Sequence, residues 1–307
     1  MAPLFKIALF FLVVFSFILP IAAHAKLYVV TTTTDLRAIA SEVGQEFVTV
    51  DSIAKGTQDP HYIEAKPSFM TKANRADLLI SIGLDLEIGW LPNIIQGARN
   101  PKILRGEKGN LEVGPLVEPL EVPTGKISRA QGDVHPDGNP HVTLDPFRAG
   151  QIALFIAERL GELDAEHRDV FVKNAQAMQA RLQEKSKIWQ SKIDQCGIKK
   201  IVTYHKTLSY FLNRFHLENS AILEPKPGIP PTSGHILEVI KLIKEQMIPL
   251  ILVENYFDPT VTEKIKTNVP TIRSATVPVA IDGGPNISTM DDLYENLVKI
   301  VSENKGK

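Results

Sequence analysis

The chain has 307 residues, beyond the length at which one core usually keeps growing, so two domains are expected and a small stapled fold is excluded. Apolar residues make up 44% and charged residues 22%, close to a globular average, which excludes a mostly disordered chain and a multi-span membrane protein. With 34 Lys plus Arg against 35 Asp plus Glu there is no electrostatic footprint for nucleic acid, and the single cysteine, Cys196, excludes an intrachain disulfide or a multi-thiolate metal site.

Lys6 precedes the apolar run Ile7 to Phe15, which Phe17, Ile18 and Leu19 extend to Pro20, and Ala23-His24-Ala25 follows as a small-x-small sequence. This pattern predicts a secretory signal peptide over residues 1–25, cut before Lys26, because the apolar run is shorter than a membrane span requires. The mature protein is then expected in the periplasm. No cysteine stands near the cut to carry a lipid, so a free protein is expected. Cys196 reads as a small, at least half-buried residue.

From Lys26 onward, Leu27 to Thr32, Phe47 to Ile53 and Leu78 to Ile82 alternate with amphipathic segments at Leu36 to Val43 and Ser68 to Ala76. Strands alternating with helices predict a parallel sheet. Between Arg99 and Pro146 seven prolines and six glycines interrupt the pattern, and loop with short strand is expected. Pro146 suits a first helical turn, and Ile152, Leu154, Phe155, Ile156 and Leu160 continue a helix to about Gly161. Ala165 to Ile193 then holds neither Pro nor Gly and is rich in good helix formers, which predicts one long, stiff helix.

Alternation resumes at Ile198 to Tyr204, Leu208 to Phe215, Ala221 to Leu223, His235 to Met247, Leu250 to Val253, Thr260 to Thr267, Ile272 to Ala275 and Met290 to Ser302. The expected class is therefore α/β, with two Rossmann-like lobes, each around a central β-sheet, joined by the long helix. Residues 26–147 are assigned to the N-terminal lobe, 148–195 to the connecting helices and 196–307 to the C-terminal lobe. No Gly-x-Gly-x-x-Gly, phosphate-loop, Gly-x-Ser-x-Gly or His-Glu-x-x-His motif occurs, which disfavours nucleotide binding, serine hydrolysis and helix-borne zinc proteolysis.

Eight histidines remain to be sorted. His24 belongs to the expected leader. His167, among Glu166, Arg168 and Asp169, reads as a solvated helix face, and His216 and His235 read as surface imidazoles near helix ends. His61 and His205 each follow a β-rich run, and His141 lies in the loop ahead of the Pro146 helix. Ligands of open α/β sheets bind beyond the carboxyl ends of strands, so two facing lobes pool these loops. Three neutral imidazoles from both lobes suit Zn²⁺, although three unrelated loop histidines would give the same spacing. Among carboxylates, Val277 to Ile281 reads as a strand with Asp282 in the loop at its end. Asp282 is thus a fourth ligand or an ordinary Asp-Gly-Gly turn. Glu254 closes another strand and either orients a ligating histidine or is a surface polar residue.

At Thr57-Gln-Asp-Pro-His61, Asn139-Pro-His141-Val-Thr-Leu-Asp-Pro146 and Thr203-Tyr-His205-Lys-Thr-Leu-Ser-Tyr-Phe211, the chain resembles the metal-binding solute-binding proteins of zinc and manganese ABC importers. The likeness runs from about Lys26 to Ile300 and includes Ala73-Asn-Arg-Ala-Asp-Leu78. It implies two lobes on one long helix and a monomer that binds one divalent metal in the cleft and delivers it to a membrane permease. It also implies that His61, His141 and His205 are ligands. Histidine rather than glutamate at position 205 implies Zn²⁺ as the cargo, ahead of Mn²⁺ or Fe²⁺. A long histidine-rich loop, common in zinc members, is reduced here to Gly125 to Asn139 with one histidine, His135, which reads as a plain loop residue. Asp282, His135 and water stay open as the fourth donor.

A filled shell of three imidazoles and a carboxylate binds metal without catalysis. The competing expectation is an exported zinc hydrolase with an open coordination position and Glu254 or Asp59 as general base. An importer component for an organic ligand needs an aromatic-lined pocket, which a 7% aromatic content does not favour.

Overall fold

The computed structural model describes residues 26–125, 132 and 134–304. The leader expected over residues 1–25 lies outside the described residues. The first sheet comprises β1 (Leu27–Thr31), β2 (Val48–Ser52), β3 (Leu78–Ser81) and β4 (Asn110–Glu112), all parallel in the order β2-β1-β3-β4. Helices α1 (Thr34–Gly44), α2 (Pro67–Arg75) and α3 (Leu91–Ala98) form the crossovers. Strand β3 is buried at every position, as a parallel strand covered on both faces must be. Helix α3 is not anticipated by the sequence pattern. Its eight residues include Pro92 and Gly97, the usual signs of a loop, yet Leu91 and Ile94 are buried and hold it in place.

The second lobe repeats the topology with β5 (Lys200–Thr203), β6 (Glu218–Ile222), β7 (Leu250–Glu254) and β8 (Arg273–Val277), in the parallel order β6-β5-β7-β8. It carries α6 (Ser209–Arg214), α7 (Ser233–Gln246), α8 (Thr260–Asn268) and α9 (Met290–Glu303). Strand β8 ends at Val277 rather than Ile281. Pro278 has no N–H to continue the ladder, so residues 278–281 leave the sheet before Asp282 is reached.

Helices α4 (Pro146–Leu163) and α5 (Arg168–Cys196) lie between the sheets. Asp145 caps α4, accepting the Phe147 N–H at 2.9 Å, and Pro146 occupies the first turn, where its missing N–H costs nothing. Helix α5 runs 29 residues, about 44 Å at 1.5 Å per residue. It buries Phe171, Ala175, Met178, Leu182, Trp189 and Ile193 at steps of three, four or seven along one seam and ends at Gly197 in the left-handed conformation, φ 75°. The largest apolar cluster is continuous from Val29 in β1 through Ile152 in α4 and Leu182 in α5 to Leu293 in α9 and Leu252 in β7. The spine is therefore core to both lobes. Among the described residues no helix is long and apolar enough to cross a membrane.

Candidate metal centre

His205 leaves the carboxyl end of β5, one residue after Tyr204 N–H pairs with the Leu252 carbonyl at 3.0 Å. That edge of the second sheet faces the loops of the first. His61 lies in the loop after β2, where Trp90 Nε1 donates to the Pro60 carbonyl at 2.9 Å. His141 sits ahead of α4, and its backbone N–H donates to Asn139 Oδ1 at 2.9 Å. The three side chains meet between the lobes: one ring nitrogen from each lies within 4.8 Å of the other two. Ring centroids are 5.2 to 5.6 Å apart and the planes nearly perpendicular, at 66° to 88°. Such rings aim nitrogens at a common point rather than stacking.

Two of the rings are oriented from behind. His61 Nδ1 lies 2.7 Å from Asp59 Oδ1, and His205 Nδ1 lies 2.6 Å from Glu224 Oε2. Each carboxylate fixes Nδ1 as the protonated nitrogen and leaves the Nε2 lone pair for a metal, the arrangement in which ligating histidines are usually held. The third, His141 Nε2, is buried without a hydrogen-bond partner among the described residues. A buried nitrogen without a partner is costly in a folded protein, and a metal would satisfy it. Burial, joined by the charges of His61, His205 and His135, holds the His141 imidazole well below its ordinary pKa, so it is neutral. Burial raises the Asp59 carboxyl, but hydrogen bonds and charge from His61 outweigh this and keep it below the usual carboxylate range.

His135 stands against the cluster, with Nε2 3.2 Å from His61 Nε2. That is hydrogen-bond distance, and it is also close to the roughly 3.3 Å between two nitrogens on a tetrahedral Zn²⁺ with bonds of about 2.0–2.1 Å. Crevices of about 570, 200 and 90 Å³ border His61 with His135, His61 with His205, and His141 with His205.

The structure does not bring Asp282 into this group. Its carboxylate is 54% exposed and accepts Arg37 Nη2 at 2.5 Å, because the chain after Pro278 is drawn onto the start of α1. There Ile281 N–H donates to Asp35 at 2.9 Å and the Ile281 carbonyl accepts Thr34 Oγ1 at 2.7 Å. Glu254, fully buried, receives the His205 backbone N–H at 3.3 Å instead of its ring, and burial pushes its carboxyl up to about 8. Glu224, which does hold the ring, went unnoticed in the sequence; its signal is a position just beyond β6, on the same sheet edge as His205. His167 is no solvated residue: it stacks on Phe47 at 3.9 Å and pairs with Asp164 at 2.7 Å. His235 Nε2 caps the Ile222 carbonyl at 2.9 Å, and His216 is exposed.

The profile of a family described as "Zinc-uptake complex component A periplasmic" matches residues 29–302. The metal ABC transporter substrate-binding lipoprotein SloC of Streptococcus mutans is 26% identical over 255 residues, covering 81% of this chain and 80% of SloC. The manganese ABC transporter substrate-binding lipoprotein ScaA of Streptococcus gordonii is 25% identical over 258 residues, covering 81% and 79%. Among solved structures, the crystal structure of ZnuA superposes with a TM-score of 0.75 at 19% identity, over 91% of this chain and 99% of that one, a likeness of fold.

Proposed function

The chain belongs to the periplasmic zinc-uptake component A family, substrate-binding components of ABC importers rather than enzymes, and from that premise we propose that its cargo is Zn²⁺, bound by His61, His141 and His205. The observation that carries this reading is the convergence of the three ring nitrogens, two held by carboxylates from behind and the third buried without a partner. Three imidazoles form a nitrogen-rich set that favours Zn²⁺ strongly over Mn²⁺, which sits at the weak end of the divalent series and prefers more oxygen ligands.

His135 closes the fourth position in this proposal, supported by its 3.2 Å approach to His61. With Asp282 engaged by Arg37, the centre is all nitrogen. Four protein ligands leave no open coordination position for a substrate water, which separates capture from hydrolysis. The protein then works in the periplasm as a monomer, after loss of residues 1–25, and hands the ion to a membrane permease. Residues 26–147 and 196–307 act as the two lobes, with 148–195 between them.

A manganese reading draws on ScaA, a relative named for that metal. Direct competition tests both. Protein purified without added metal and offered equimolar Zn²⁺ and Mn²⁺ is expected to retain Zn²⁺ at about one ion per chain; retention of Mn²⁺ would sink the zinc assignment.

A further inference from the structure

The loop that carries His141 belongs to the first lobe, yet it is gripped from the second. Helix α6 begins four residues after His205, and its side chains reach both flanks of His141. On one flank, Tyr210, fully buried, donates its hydroxyl to the Asn139 carbonyl at 2.6 Å and accepts the Leu120 N–H at 2.9 Å. Asn139 Nδ2 also donates to the Lys206 carbonyl at 2.9 Å, while Asn139 Oδ1 receives the His141 backbone N–H at 2.9 Å. On the other flank, Arg214 makes a two-pronged pair with Asp145, Nε to Oδ1 at 2.7 Å and Nη2 to Oδ2 at 2.8 Å. Asp145 is fully buried and takes a further bond from Arg148 Nη1 at 2.5 Å.

Two fully desolvated groups are thus committed to this junction. A buried carboxylate is tolerated only when paired in good geometry, and a planar guanidinium gripping both oxygens fixes distance and angle together. The guanidinium also lies 3.9 Å over the Phe147 ring, which leaves it little freedom to turn. His61 is held differently: its flanks bond to Trp90 and to Asp59, both of its own lobe. Its loop is tied to the second lobe upstream, by Asn255 Nδ2 donating to the Gly56 carbonyl at 3.1 Å, five residues before His61.

We propose that Tyr210 and Arg214 are positioning residues that lock His141 to His205 across the lobe boundary, so that these two nitrogens form a preset seat and His61 is the ligand that closes on the ion. The proposal rests on the three-histidine reading above. Holding two ligands in register before the ion arrives removes ordering cost from binding, and supports that orient a ligand typically weigh 10 to 100-fold in affinity.

The test is a double-mutant cycle on the full chain, with Zn²⁺ titrated against a competing chelator. Tyr210→Phe deletes one hydroxyl, and Arg214→Lys keeps the charge beside Asp145 but not the two-pronged grip. Each is expected to weaken Zn²⁺ binding by roughly tenfold in the parent, by the same factor in His61→Ala, and by less than about twofold in His141→Ala. A general loss of stability would lower affinity equally in both histidine backgrounds, and that result would overturn the proposal, as would unchanged affinity in both single variants. Should Arg214→Lys fold poorly, as judged by its apo unfolding temperature, Tyr210→Phe decides alone. A parent chain that took up no divalent metal would remove the site reading and this proposal together, and it is told apart because it shows without any substitution.

Discussion

Asp282 Oδ2 accepts Arg37 Nη2 at 2.5 Å across the boundary between the lobes, with both side chains partly in solvent. An exposed pair of this kind contributes little to stability, about 0–1 kcal/mol, but it occupies the carboxylate. Asp282→Asn is therefore expected to leave Zn²⁺ affinity within about twofold of the parent, whereas His135→Ala lowers it by roughly tenfold or more. Isothermal titration with a competing chelator measures both. The reverse order would return the fourth position to Asp282.

The two variants also separate what the sequence revealed from what it concealed. The strands and the spine were legible because each rests on local pattern, β-branched runs and 29 residues without Pro or Gly, whereas the grouping of His61, His141 and His205, which the structure brings together, needed the family resemblance beside their places past strand ends or before a capped helix. The place of Asp282 was not legible because it depends on where β8 stops. Pro278 stops it, and Thr34 and Asp35, some 245 residues away in sequence, then decide where the chain goes. Glu224 was hidden for the same reason. Its bond to His205 joins neighbouring strands whose order no local pattern records.

Asp35 is buried at that junction, bonded by Ile281 N–H and by Thr143 Oγ1 at 2.8 Å, and burial pushes its carboxyl up to about 6. The unfolded chain ionises this group near its ordinary 3.8, whereas the folded chain keeps the proton until about 6. Stability from Asp35 therefore falls as pH rises between these values and stays low above them. Asp35→Asn removes the penalty, so relative to the parent it is expected to gain about 1–3 kcal/mol between pH 4 and pH 7.5. Urea unfolding of the apo proteins at both pH values tests this. A difference between parent and variant that stayed constant with pH would contradict it.

Gly56 lies at a close approach of the lobes. A Cβ there would lie 2.0 Å from the Ile281 carbonyl oxygen and 2.5 Å from the Gly283 nitrogen, both rigid backbone atoms. Gly56→Ala is expected to cost about 1–3 kcal/mol, because one segment must shift to admit the methyl group. Thermal unfolding measures the loss. An unchanged midpoint would mean that the two loops separate freely.

The spine limits how far the lobes can part. Helix α5 shares one core with both sheets, and Arg181 on α5 ties Glu42 of α1 at 2.7 Å and Asp291 of α9 at 3.0 Å. A wide hinge would have to break the helix or empty that core. Removal of metal with a chelator is therefore expected to leave the small-angle scattering curve nearly unchanged, the radius of gyration moving by a few per cent at most. A large increase in the apo protein would show that the lobes swing despite the shared core.

The choice of metal turns on His205. It is the ligand from the second lobe, its ring is fixed by Glu224 at 2.6 Å and its backbone by Glu254, so its nitrogen is aimed before an ion arrives. His205→Ala removes one donor and the bridge across the cleft, and Zn²⁺ affinity is expected to fall by about 100-fold or more. His205→Glu exchanges a nitrogen for a harder oxygen donor beside two existing carboxylates. It should weaken Zn²⁺ more than Mn²⁺ and narrow the preference by at least about tenfold. His216→Ala, at an exposed position, serves as control and should change neither affinity. Each protein is titrated with Zn²⁺ and with Mn²⁺ at pH 7.5 and again at pH 5.5. Protons compete for the same lone pairs, so the parent's Zn²⁺ affinity is expected to drop between the two. A His205→Ala protein that bound Zn²⁺ like the parent, or a parent with equal affinity at both pH values, would place the ion elsewhere in the molecule.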